Sequence, residues 1–77
     1  MAPLVQERYR AWAGRIVALL EEGRRDGSVP ESVDPTGAGW RLAAAADGID
    51  SIIYLGALGR DEARGLLASC VARELGQ

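Results

Sequence analysis

Residues 38–55 constrain the fold more than any other part of the chain, because they are helical in pattern and apolar on nearly every side. Ala38, Trp40, Leu42, four consecutive alanines at 43–46, Ile49, Ile52, Ile53 and Leu55 leave few polar positions before about Ala57. A helix of that kind must be covered almost all round. Its start is marked by Asp34-Pro35. The Asp side chain accepts from orphan backbone N–H groups, and proline at the first helical position loses no donor the helix needs. The signals predict a helix over 35–57. With only two other helices in the chain, the remaining cover has to come from another subunit or from further chain.

Those two neighbours are also readable. Val5, Tyr9, Trp12, Ile16, Leu19 and Leu20 recur at gaps of four, three, four and three, which is helical spacing and not strand alternation. The opposite face carries Glu7, Arg8, Arg10, Arg15, Glu21, Glu22, Arg24 and Arg25. Gly27 supplies a stop, with Pro30 beyond it, so a helix is expected over 4–26. Gly56 and Gly59 then punctuate a turn, and Asp61 and Glu62 put negative charge in the first turn of a third helix, where the macrodipole favours it. That helix is expected over 60–75, with Ala63, Leu66, Leu67, Cys70, Val71 and Leu75 as its apolar stripe and Arg64, Ser69, Arg73 and Glu74 facing away. Gly76 is a plausible stop. The fold class is therefore all-α, with three helices.

Length limits what such a fold achieves alone. Seventy-seven residues make one domain at most. Surface scaling gives about 4,500 Å² folded against about 12,000 Å² unfolded, and a stability of only about 4–11 kcal/mol. A partner subunit would help. The formal charge of −2 argues against this chain holding a nucleic-acid backbone by itself. A lone Cys70 makes no intrachain disulfide, so nothing asks for an oxidising compartment, and a cytoplasmic location is the default. The longest apolar run outside the alanines, 16–20, has five residues, and the N-terminal sequence lacks a signal-peptide core, so neither a membrane span nor a signal peptide is expected.

Catalytic chemistry is hard to find. General acid–base catalysis near neutral pH most often uses His, and there is none, so the common triads are excluded and no enzyme or cofactor is expected. Asp47 and Asp50 are three apart and would share a helix face, which is the spacing for a hard cation. Without further ligands they bind it weakly, and the plainer reading leaves Asp50 solvated and Asp47 hydrogen-bonded to a neighbouring helix. No metal is expected. Cys70 sits on an apolar stripe and not in the electropositive setting a reactive thiol wants. Gly48, inside the second helix, costs about 1 kcal/mol against Ala, for which a close helix approach is the expected compensation. Trp12 and Trp40 are core anchors or the walls of a cavity for a flat or apolar ligand.

The order of signals adds a resemblance. A Trp-containing amphipathic helix ends in Glu-Glu-Gly-Arg-Arg-Asp-Gly-Ser-Val (21–29), followed by Val-Asp-Pro (33–35), by Leu-Ala-Ala-Ala-Ala-Asp-Gly-Ile (42–49), and by a helix closing in Arg-Glu-Leu-Gly (73–76). This is similar to the C-terminal domain of TetR-family transcriptional repressors, in the betaine-inhibitor-like subgroup, across essentially the whole chain, from Tyr9 to Gly76. The resemblance implies a bacterial regulator domain that binds a small effector and pairs its last two helices with a second subunit in a four-helix bundle. On that implication Ile52, Leu55, Leu67 and Cys70 are the candidates for a homodimer seam, and Trp12, Ile16, Trp40 and Asp47 border the effector cavity. The family's N-terminal helix-turn-helix is not among these 77 residues, so a fragment or a shortened reading frame is expected. DNA binding is then expected only of an intact parent protein, and the pocket is only partly present. The alternative reading is a free-standing dimeric helical module that pairs with other regulators.

Overall fold

Local capping sets the helix ends. The computed structural model describes residues 3–76, and they form three α-helices: α1 (Pro3–Asp26), α2 (Pro35–Tyr54) and α3 (Arg60–Glu74). No strand occurs among the described residues. Asp34 stands in extended backbone before α2, and its carboxylate accepts from the Gly37 N–H at 3.3 Å. α1 stops where Gly27 adopts φ +89°, and the Val29 N–H turns back to the Gly23 carbonyl at 3.0 Å. The Ser28 hydroxyl and N–H both donate to the Asp26 carboxylate there, holding its pKa below the ordinary value. At the start of α3 the Glu62 carboxylate accepts from the Gly59 N–H at 3.4 Å.

α2 ends three residues before the position its apolar pattern suggests. Gly56 takes φ +76°, and its N–H and that of Ala57 donate to the Ile53 and Ile52 carbonyls at 2.9 and 3.1 Å. Apolar residues continue through this turn, so hydropathy alone does not mark it.

α2 lies between the other two helices. It packs against both, whereas no Cα of α1 lies within 8 Å of any Cα of α3. The molecule is accordingly flat, 38 × 32 × 14 Å. Three helices bundled in a triangle would be about as wide as they are thick. The radius of gyration is 13.6 Å, against about 11.5 Å for a compact domain of this length. The accessible surface is 5635 Å², about 1,100 Å² above the scaling value for this mass.

Apart from Ala13, Ala43, Ile49 and Ala63, which are buried elsewhere, the core is a cluster at one end of this layer. Leu20, Val29, Val33, Ala38 and Leu42 form it, with Ile16, Cys70 and Leu75 packed against its side. It thus joins the C-terminal half of α1, the α1–α2 connection, the N-terminal half of α2 and the C-terminal half of α3. α1 and α2 approach closely at Gly39, where a Cβ would collide with the Val17 side chain and lie 3.1 Å from its backbone nitrogen. Within the chain the close approach therefore falls at Gly39. Gly48, where it was expected, has no atom within 4 Å of a Cβ position. Glu74, expected to face away, is instead half-buried and forms a two-pronged pair with Arg41 of α2, at 2.6 Å from Nε and 2.8 Å from Nη2. These bonds hold the Glu74 carboxyl below its ordinary pKa.

Candidate functional site

Because α1 and α3 both lean on α2 without meeting, a groove of about 690 Å³ opens between them at the end away from the core. Ala46, Asp47, Ile49, Asp50 and Ile53 of α2 line it, at the three- and four-residue spacing that puts side chains on one helix face. Arg60, Ala63, Arg64 and Leu67 of α3 contribute a second wall by the same spacing, and Trp12 of α1 a third. The lining mixes apolar side chains with two carboxylates and two guanidinium groups.

The charges in the groove do not neutralise one another. Among the described residues the one ion pair within 4 Å is Arg41–Glu74, outside the groove, so neither Asp47 nor Asp50 meets Arg60 or Arg64. No hydrogen bond from another helix reaches the Asp47 carboxylate among the described residues. Its backbone carbonyl accepts from the Ser51 hydroxyl at 3.2 Å within α2. No cluster of three or more potential metal ligands occurs among the described residues.

The residues singled out for an effector cavity divide. Trp12 and Asp47 line the groove together. Ile16 packs against the core at the other end. Trp40 is 42% exposed and lies outside the lining. Its ring stacks on Tyr9 at 5.9 Å, and Tyr9 in turn meets Trp12 edge-on at 5.5 Å. Tyr9 thereby steadies the Trp12 ring that reaches the groove. The four seam candidates also divide: Leu67 lines the groove, Cys70 packs against the core, Ile52 is half-buried and Leu55 is 77% exposed.

Arg60, Arg64 and Ile53 were not expected at a site. Arg64 was assigned to the outer face, yet it stands one turn from Arg60 and beside Leu67 on the groove wall. The spacing of Arg60, Arg64 and Leu67 carries the signal, and both arginines are solvent-exposed as well as groove-lining.

A second surface lies elsewhere on α2. Ala44, Gly48, Ser51 and Leu55 follow one another at gaps of four, three and four and are all exposed. Three of the four are small, so another helix backbone can come close to this stripe. Leu66 of α3 is 44% exposed. No helix among the described residues is long and apolar enough to cross a membrane.

Residues 1–76 match the family model described as the C-terminal domain of BetI-type transcriptional repressors. No curated protein and no solved structure gives a significant match.

Proposed function

The chain belongs to the BetI-type C-terminal domains of TetR-family transcriptional repressors, and from that premise we propose that it both senses a small effector and forms the homodimer. The effector occupies the groove lined by Trp12, Asp47, Asp50, Arg60 and Arg64. The Ala44, Gly48, Ser51 and Leu55 face of α2, with Leu66 of α3, packs against its copy so that α2 and α3 of each chain make a four-helix seam. One observation carries this reading: the flat layer leaves α2 open twice, to a groove between its neighbours and along a stripe of small residues.

The areas support it. The surplus surface of about 1,100 Å² exceeds the roughly 800 Å² that each partner buries in a standard interface. A two-fold axis satisfies such a face with its own copy and leaves no open end.

Sedimentation equilibrium across the micromolar range tests the dimer, with a mass of two chains expected. A monomer at every concentration refutes it. A thermal-shift screen of small molecules tests the sensor: a ligand at about 100 times its Kd stabilises the fold by about 2.7 kcal/mol, and a broad library that moves no midpoint refutes it.

A further inference from the structure

We propose that the groove takes an elongated small molecule carrying a negative group at one end and a positive group at the other, with its apolar middle over Trp12, Ile53 and Leu67. This rests on the groove being the ligand site. Asp47 and Asp50 come from α2, about one turn apart, and Arg60 and Arg64 come from α3, also about one turn apart. All four line the same space, and no carboxylate among them lies within 4 Å of a guanidinium nitrogen.

That arrangement selects among ligand classes. An apolar occupant strips water from four charges and returns no hydrogen bond to any of them, which is costly. A singly charged occupant satisfies one pair and faces like charge on the other. An occupant with both signs meets both: the Arg60 and Arg64 forks suit a carboxylate, and the Asp47 and Asp50 carboxylates accept from an ammonium. The two pairs sit on different helices, farther apart than an ion pair, so the ligand's charges need a short spacer between them. In the proposed pose that spacer runs over the apolar part of the same lining.

The test uses the full chain labelled with nitrogen-15 and the indole N–H signal of Trp12, told apart from that of Trp40 by the spectrum of Trp40→Phe. The probes are 6-aminohexanoate, hexanoate, hexylamine and hexanol. The expected result is that 6-aminohexanoate shifts the Trp12 signal and binds about tenfold tighter than either singly charged probe. Arg60→Gln with Arg64→Gln removes its advantage over hexylamine, and Asp47→Asn with Asp50→Asn removes its advantage over hexanoate. All four positions are exposed, and the circular dichroism of each variant checks that the fold is kept. Equal binding of hexanol or of one charged probe overturns the proposal while leaving the groove as a ligand site. No shift with any probe also overturns it, and the broad thermal screen then decides separately whether the groove is a ligand site.

Discussion

Replacing Gly48 by Ala separates what α2 does inside one chain from what it does between two. Within the chain the new methyl meets no atom within 4 Å, and the backbone is ordinary α-helix. The change therefore gives the monomer the helix propensity that glycine withholds, about 1 kcal/mol, and raises its Tm by about 4–8 °C for a domain of this size. In the proposed dimer the same methyl projects from the middle of the seam, where a facing helix runs about 8–10 Å away. Each intruding methyl then costs about 1–3 kcal/mol in strain, and the two-fold axis places one on each side. At about 1.4 kcal/mol per factor of ten, the dimer Kd rises at least tenfold. Sedimentation equilibrium gives the Kd, and thermal unfolding at low concentration gives the monomer Tm. Gly14→Ala is the control: Gly14 is also exposed, with nothing within 4 Å, but lies on α1. It should raise the Tm and leave the Kd unchanged. If Gly48→Ala does the same as Gly14→Ala, the small-residue face of α2 is not the seam.

The other expectations follow from the contacts within the chain. Gly39→Ala should destabilise by about 1–3 kcal/mol despite better helix propensity, because the backbone of Val17 blocks the methyl; urea unfolding that shows a gain would refute the α1–α2 crossing. Asp34→Ala should cost about 1 kcal/mol and Asp34→Ser far less, read by the same assay, because the carboxylate caps the Gly37 N–H. Glu74 has a depressed carboxyl pKa in the folded chain, owing to the hydrogen bonds from Arg41. Its contribution is thus present above the unfolded value of about 4.3 and is lost as pH falls through the lower folded value. Urea titrations at neutral pH and below pH 4 should show a smaller acid loss in Glu74→Gln than in the parent, and equal losses would remove the pair from the stability account.

Helices were legible wherever a cap coincided with a change of pattern. Asp34-Pro35 and Gly27 placed two ends because each carries a backbone consequence that hydropathy does not blur. The end of α2 is not where the pattern suggests because Leu55 and Ala57 keep the composition apolar on both sides of Gly56, whose positive φ marks the stop. Facing was harder to read than existence. Glu74 is charged yet half-buried, paired with Arg41, while Arg64 stays exposed on the groove wall, and one chain's periodicity does not reveal a charge on the next helix. Trp12 and Asp47, both named on the family resemblance, line the same groove. Ile16 and Trp40 diverged from them because a helix face spans more than one surface: Ile16 reaches the core end and Trp40 reaches Tyr9.

The same two-ended architecture gives α3 a mechanical role. Its C-terminal half is held, by Cys70 and Leu75 against the core and by Glu74 on Arg41. Its N-terminal half, with Arg60 and Arg64, has only α2 behind it and the groove in front, since α1 does not reach it. On the proposed reading, a ligand held by Arg60 and Arg64 would act on the N-terminal half of α3, where Ala63 alone is buried, and shift it about the held C-terminal end. The turn that joins α2 to α3 would follow, and it carries Leu55, one of the residues on the face proposed for the dimer. Effector and partner would then be coupled through one helix whose position both of them bias. By linkage, whatever factor the ligand applies to dimer affinity, dimerisation applies to ligand affinity.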